Sequence, residues 1–234
     1  MENLEKVNSL LSLIHDWVVT KGLHTHEPLY QLAKLNEEFG ELNKAVLKND
    51  TIKIIDGIGD VLVVCTVMAA QFYKKAGIVP KFKFNPDMEY IAHKNPLFNV
   101  TVKLYSYAKE VISYYDIVDK AGTVSRKNII EVISEFYNLT VLAFARYAES
   151  LGIKLDEALN MALTTISFRS GEIVDGVFVK KEPNTILYVP TRELHKDHCE
   201  LLQDINNYAV SNDLTLFKIE FHLFPYYSHE AINE

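Results

Sequence analysis

The chain has 234 residues, of which 48% are hydrophobic and 24% are charged, as in a globular protein of one large or two small domains. Its formal net charge is −7. This charge argues against a nucleic-acid polymer or an anionic membrane surface as a partner, because both select basic faces. A small phosphorylated ligand stays compatible, since metal ions screen the repulsion. The longest apolar run, 61–70, is about half of what a bilayer requires. With two cysteines and no basic, apolar leader, we expect a cytoplasmic protein without disulfides.

Apolar residues at helical spacing predict six helices, over 4–21, from 28 to about 46, and over 51–75, 97–115, 128–151 and 156–166. The third is apolar almost all round after Asp60, which is typical of a helix at the centre of a bundle. Asp175-Gly176 between two β-branched runs predicts a β-hairpin. The tail adds predicted strands at 186–189 and 214–224 around a helix at 192–210. We therefore predict a mainly α protein, a bundle of four or five helices with a β-hairpin and a small α/β C-terminal tail.

A weak internal repeat indicates how the helices are organised. Residues 53–78 align without gaps on 128–153, and both segments open with Ile-Ile-acid and close with Gly-Ile. The repeat favours a tandem pseudo-dimer of helical hairpins, although two buried apolar helices can also look alike by chance. The predicted helical domain spans 1–182, with an intact half at 1–78, a linker at 79–95 and a degenerate half at 96–182. Residues 183–234 form a separate appendage.

Carboxylates are concentrated on the second and third predicted helices. Glu37, Glu38 and Glu41 lie within about one turn of the second helix, in an arc of about 100°. Asp56 and Asp60 share one face of the next helix. A short loop joins the two helices, so they should pack antiparallel and bring the carboxylates together. Oxygen ligands without clustered His or Cys select Mg²⁺ or Mn²⁺. The alternative is a solvated acidic face. A diiron bundle is disfavoured because Glu-x-x-His is absent from these helices.

The pattern Gln31-x-x-Lys34-Leu-x-Glu37-Glu38-x-Gly40-Glu41-Leu42, followed by Asp56-x-Ile58-Gly59-Asp60 and an apolar run, resembles the MazG-like nucleotide pyrophosphohydrolases. The forms found in phages and their hosts are the most similar. Trp17, Arg169-Ser-Gly171 and the hairpin up to Lys180 are also similar to that family. The resemblance covers residues 5–78 well and 155–182 in part.

This resemblance implies an all-α, Mg²⁺-dependent enzyme, with Mn²⁺ able to substitute, that cleaves nucleoside triphosphates to the monophosphate and pyrophosphate. It implies metal ligation by Glu38, Glu41 and Asp60, with Glu37 as a further ligand or a group that orients the attacking water. Where the family has a glutamate three positions before Asp60, this chain has Gly57, and Asp56 is the replacement candidate. The expected substrate-binding residues are Gln31, Lys34, Trp17, Arg169 and Lys180. We also expect a homo-oligomer, a dimer or tetramer, and the host cytoplasm if the gene is phage-encoded.

The second half has lost most of this pattern. Glu131 and Glu135 align with Asp56 and Asp60, but Tyr105 and Tyr107 stand near the positions of the paired glutamates. We expect no complete metal site there, and expect the tyrosines to close the pocket or stack on a base. Two other functions remain open: a nucleotide sensor that cleaves poorly because of Gly57, and a helical assembly protein whose acidic face is merely solvated.

Overall fold

The computed structural model describes residues 4–80, 84–89, 92–167, 169, 171–174, 177–180, 186–190 and 218–222. Its helices are α1 Leu4–Thr20, α2 Gln31–Leu47, α3 Thr51–Ala76, α4 Pro96–Tyr115, α5 Thr123–Ser150 and α6 Leu155–Ser167. Its strands are β1 Gly171–Val174, β2 Val177–Lys180, β3 Ile186–Pro190 and β4 Lys218–His222. The predicted mainly α bundle with a β-hairpin is confirmed, since β1 pairs with β2. The turn residues 175–176 and the predicted helix at 192–210 lie outside the described residues.

Helix α3 lies at the centre of the bundle, as its sequence predicts. It contacts α1, α2, α4, α5 and α6, and every residue from Gly57 to Tyr73 is buried. A helix surrounded on all sides needs apolar side chains all round, which explains why this segment lacks a polar stripe. Asp60 is therefore a carboxylate inside the most buried helix of the protein.

The helices that carry the repeat end in the same motif, 75 positions apart. Gly77 and Gly152 both adopt left-handed backbone conformations, with φ of 72° and 71°. The N–H of Ile78 donates to the carbonyl of Tyr73, and the N–H of Ile153 donates to that of Ala148. These are the hydrogen bonds of a Schellman cap, which glycine favours because it carries no Cβ. The duplication itself stays a prediction.

Two helix starts differ from the predicted ones by three residues or more. Pro28–Tyr30 forms a separate 3₁₀ turn, so that α2 begins at Gln31. Such turns are frequent at helix N-termini. Helix α5 begins at Thr123, five residues earlier than predicted, and the N–H of Arg126 donates to the carbonyl of Gly122. The apolar periodicity starts only at Ile129, so the first turns of α5 carry no sequence signal for burial.

Helix α6 packs very closely on α3. A Cβ added at Gly59 would contact the carbonyl oxygen of Ala158 and would lie 2.7 Å from the Cβ of Ala162. Small residues on both helices allow this approach. Asp156 at the start of α6 is buried and forms an ion pair with Lys6 of α1 at 2.5 Å, which ties the first helix to the sixth.

Backbone contacts divide the chain into two compact units, residues 1–167 with 173–178, and residues 168–172 with 179–234. The first unit contains the six helices. In the second unit, β3 and β4 pair in parallel, with Ile186 opposite Lys218 and Pro190 opposite His222. Strand β4 falls within the predicted strand 214–224, and β3 extends one residue beyond the predicted 186–189. The predicted domain boundary at residue 182 stays a prediction.

Within the described residues, Thr123–Ser150 is long and apolar enough to cross a membrane by length and composition, and half of its apolar window is buried inside the protein. A core helix of a bundle meets the same criterion, so this feature is weak support for a membrane span.

Candidate functional site

A cavity of about 240 Å³ lies along the hairpin that α2 and α3 form. Its lining comprises Glu38, Glu41, Lys44, Ala45, Lys48, Asp50, Lys53, Asp56, Gly57 and Asp60. Four of the five expected metal ligands therefore line one cavity. They come together because α2 and α3 pack antiparallel and present their acidic faces to the same groove.

The deepest carboxylates of this cavity are Glu38 and Asp60, with exposed fractions of 6% and 8%. Burying a carboxylate is costly unless a cation or hydrogen-bond donors compensate it. For Glu38 the compensating cation is Lys34, whose Nζ lies 2.7 Å from its Oε1. Lys34 also donates a hydrogen bond to Glu37 at 2.9 Å. Burial alone would lower the pKa of Lys34, but the hydrogen bonds and negative charges of Glu38 and Glu37 outweigh it and raise that pKa.

Glu37 itself does not line the cavity. Its side chain is 56% exposed and bonds to Lys34 on the outer side of α2. Residues 37 and 38 are one position apart on a helix, so their side chains point about 100° apart and only one of them can face α3 fully. The expected role of Glu37 as a ligand or water-orienting group stays a prediction.

The carboxylates share the cavity without forming a closed ligand set. Among the described residues, no three His, Cys, Asp or Glu side chains are close enough together to hold a metal ion. Carboxylates repel one another, and Asp56 reaches less far than a glutamate would. A cation bound here would have to draw the side chains of Glu38, Glu41 and Asp60 toward it.

Gly57 lies where α2 and α3 touch. A Cβ added at residue 57 would be 3.0 Å from the Cβ of Leu42 and 3.1 Å from its Cα. These distances are tighter than nearly all real Cβ contacts, and one of the two atoms belongs to the backbone. A side chain at this position would require Leu42 to shift by a few tenths of an ångström.

Three lysines that sequence reasoning missed line the same cavity. Lys34 was the basic residue expected near the carboxylates, but Lys44, Lys48 and Lys53 share the lining. Five carboxylates and three ammonium groups therefore face one space. The available signal was the helical spacing, because Lys44 and Lys48 follow Glu41 by three and seven residues on the face that turns toward α3.

Two of the other expected substrate residues, Trp17 and Gln31, do not line this cavity. Trp17 of α1 packs its ring edge-on against Phe178 of the hairpin, with centroids 5.7 Å apart. Gln31 is buried at the start of α2 and does not line the cavity. Arg169 belongs to the second compact unit, and the side chain of Lys180 lies outside the described residues.

In the second hairpin, the corresponding acids lie on the surface. Glu131 and Glu135 are exposed, and Glu131 forms an ion pair with Lys127 at 3.7 Å. Asp60, which aligns with Glu135, is buried. The aligned carboxylates of the two halves therefore differ in burial, and the expected lack of a complete metal site in the second half stays a prediction.

The expectation that Tyr107 closes the pocket or stacks on a base is wrong, and the same expectation for Tyr105 stays a prediction. Tyr107 is fully buried, and its hydroxyl donates to the carbonyl of Cys65 at 2.8 Å, so that its ring belongs to the core. Tyr105 is partly exposed, but it packs on Phe39 and donates to Asn36 at 2.9 Å, away from the cavity lining. Residues 105 and 107 are two positions apart on α4, so their side chains point about 200° apart and only one of them faces the core.

Comparison with known proteins finds a phage relative. The chain is 39% identical over 66 residues to an uncharacterized 18.2 kDa protein in the rep-hol intergenic region of Haemophilus phage HP1 (strain HP1c1). The matched stretch covers 28% of this chain and 40% of that protein. No family model matches the chain, and no solved structure matches it. The chain is thus similar to a phage protein over about a quarter of its length.

Proposed function

We propose that the protein is a Mg²⁺-dependent pyrophosphohydrolase that converts a nucleoside or deoxynucleoside triphosphate to the monophosphate and pyrophosphate. One observation carries this proposal: Glu38, Glu41, Asp56 and Asp60, from two helices, line a single cavity in which the first and last are buried. Carboxylate oxygens are the ligands that Mg²⁺ prefers. The same residues carry the resemblance to the MazG-like enzymes.

Each residue of the cavity has a role in this proposal. Glu38, Glu41 and Asp60 would hold the metal, with Asp56 in place of the family's glutamate. A bound Mg²⁺ neutralises phosphate charge and lowers the pKa of coordinated water. Lys34 balances the charge of Glu38 and holds Glu37 beside it. This pairing would keep Glu37 near the proposed metal site, where its carboxylate would orient water or act as a further ligand.

The size of the cavity limits what it binds. Its volume of about 240 Å³ is below the range of roughly 300–1,000 Å³ that is usual for pockets enclosing a whole small molecule. The phosphate chain fits such a space better than an entire nucleotide, so the sugar and base would lie outside it. Trp17, Gln31, Arg169 and Lys180 remain proposed contacts to the rest of the substrate.

We also propose that the protein is a dimer or tetramer in the cytoplasm, which is the host cytoplasm if the gene is phage-encoded.

The test is hydrolysis of a panel of ribo- and deoxynucleoside triphosphates with Mg²⁺ or Mn²⁺, with products separated by chromatography. The expected products are monophosphate and pyrophosphate in equal amounts, and a metal chelator should abolish their formation. Diphosphate and orthophosphate would assign cleavage to a different bond. If no nucleotide gives a product with either metal, the proposed enzymatic activity is refuted.

A nucleotide sensor that cleaves poorly is the second candidate. Gly57 removes one carboxylate of the family pattern, and no three described acids form a closed ligand set. A sensor would bind a triphosphate tightly in the presence of Mg²⁺ and leave it intact, which the same panel combined with calorimetry distinguishes from the enzyme.

A further inference from the structure

We propose that Lys44, Lys48 and Lys53 form a phosphate-binding subsite at the turn end of the α2–α3 cavity, so that its ligand is a polyphosphate chain extending from these lysines toward the buried carboxylates. The inference rests on the proposed function for the acidic end of the cavity. The lysine subsite adds to that function a position at which the substrate's phosphates bind in the cavity.

The charges of the cavity are ordered along the hairpin. Helices α2 and α3 are antiparallel and are joined after Leu47, so Lys48 and Lys53 lie beside the turn. Asp60 lies seven residues further along α3 than Lys53, which is about 10 Å at 1.5 Å per residue. Glu38 lies ten residues before Lys48 on α2, about 15 Å by the same rise. The cavity therefore runs from a basic end at the turn to a buried acidic end.

The lysines are only weakly engaged by the protein's own acids. Lys53 lies 3.9 Å from Asp50, and both groups are well exposed. The side chains of Lys44 and Lys48 form no ion pair within the described part of the chain. Lys34, by contrast, contacts two carboxylates at less than 3 Å. Three ammonium groups that share a cavity but remain weakly paired are suited to an external anion with several phosphate oxygens.

The second hairpin provides an internal comparison. When Pro28-Leu29-Tyr30 is aligned with Pro96-Leu97-Phe98, Lys44 and Lys48 correspond to Ile112 and Asp116, and the repeat aligns Lys53 with Asn128. The hairpin whose aligned acids, Glu131 and Glu135, are exposed therefore also lacks all three lysines. The joint presence of both sets in the first hairpin favours one ligand that contacts both ends.

The amino end of α3 already holds a carboxylate. The side chain of Asp50 caps this 26-residue helix by accepting a hydrogen bond from the N–H of Lys53 at 3.2 Å. It thereby occupies the position where the partial positive charge of a helix end favours an anion. The proposed phosphate binding therefore depends on the three lysines. A ligand with several phosphates should bind more tightly than orthophosphate, which is too short to reach both ends of the cavity.

The test is titration of the full chain with inorganic tripolyphosphate in the presence of Mg²⁺, followed by calorimetry. We expect Lys44→Gln/Lys48→Gln to bind at least about tenfold more weakly, since two charge-assisted contacts are removed. Lys44→Arg/Lys48→Arg should stay within about threefold of the wild type, because the charge is kept. Lys127→Gln, which removes an exposed lysine of the second hairpin, is the matched control and should bind as the wild type does. Thermal melting verifies that each variant is folded.

The outcomes distinguish failure of the lysine subsite from failure of the proposed enzymatic activity. Tripolyphosphate that does not bind the wild type, or binds it and the glutamine variant equally, overturns the subsite. Nucleotide hydrolysis with an unchanged KM in the glutamine variant also overturns it, while the enzyme stands. Lysine-dependent tripolyphosphate binding without any nucleotide hydrolysis supports the subsite and refutes the enzyme.

Discussion

Gly57 of α3 lies against Leu42 of α2 so closely that a Cβ at residue 57 would be 3.0 Å from the leucine Cβ. The two helices that line the cavity thus approach closely beside Asp56, one of its carboxylates. Because the Cα of Leu42 is nearly as close, shortening the leucine side chain would not make room. The fourth carboxylate of the proposed metal site must therefore come from the neighbouring face of α3, where Asp56 lies.

Substitution of this glycine should loosen the hairpin. We expect Gly57→Ala to lower the free energy of unfolding by about 1–3 kcal/mol, the usual cost of overpacking. Gly40→Ala is the matched control, since its added Cβ would meet nothing within 4 Å on the exposed face of α2. That change should stabilise the protein by roughly 0.5–1 kcal/mol through helix propensity. Denaturant unfolding of both variants measures the difference, and equal effects would contradict the close contact.

Neutralising the buried acids should stop turnover. We expect Glu38→Gln and Asp60→Asn each to lower kcat by at least about two decades, or about 2.7 kcal/mol, because the metal's ligand set is broken. The control is Glu131→Gln/Glu135→Gln, which neutralises exposed acids of the second hairpin and should stay within about tenfold of the wild type. Near wild-type rates in both cavity variants would overturn the assignment of the site to this cavity.

Divalent metal should stabilise the folded protein, because the proposed ligands share one cavity only when α2 and α3 are packed. Binding at a hundredfold excess over Kd contributes roughly 2.7 kcal/mol to the free energy of unfolding. Thermal melts at increasing Mg²⁺ or Mn²⁺ should therefore shift upward in the wild type and much less in Asp60→Asn. A flat response up to millimolar metal in the wild type would favour the helical assembly protein with a solvated acidic face.

Mild acid should destabilise the end of the bundle where α1 meets α3. Burial lowers the pKa of His15, against the opposing effect of Asp16. Burial, followed by the charges of Lys74 and His15, lowers the pKa of His24. Both side chains are therefore more readily protonated in the unfolded chain, where their pKa is near 6.5. Their contribution to stability is complete above pH 6.5 and declines as the pH falls below it.

Unfolding free energies measured at pH 7.5 and pH 5.5 test this dependence. The wild type should be less stable at the lower pH, and His15→Gln/His24→Gln should show a smaller difference between the two values. A difference as large as that of the wild type would assign the acid sensitivity to other groups.

Local sequence patterns determined most of the fold. The apolar periodicity predicts all six helices, and the all-round apolarity after Asp60 predicts the central position of α3. The β-hairpin also follows from a local signal, Asp175-Gly176 between β-branched runs. These features could be predicted because backbone propensity and hydrophobic periodicity act over a few residues.

The lining of the cavity was only partly predictable. Glu38, Glu41, Asp56 and Asp60 face one space because their helical spacing and a short loop require it. Lys44, Lys48 and Lys53 lie on the same faces, but each is an ordinary surface lysine until the partner helix is present. Glu37, next to Glu38 in sequence, lies outside because a helix turns consecutive side chains about 100° apart.

Tertiary structure alone decided the remaining features. Tyr107 is a core residue because α4 packs its face against α3, and Gly57 is required because Leu42 approaches it from another helix. Periodicity specifies which side chains share a face, but it does not specify which face of a distant helix will cover them or how closely. That choice depends on the shapes and volumes of all helices packed together, and it is made only when the chain folds.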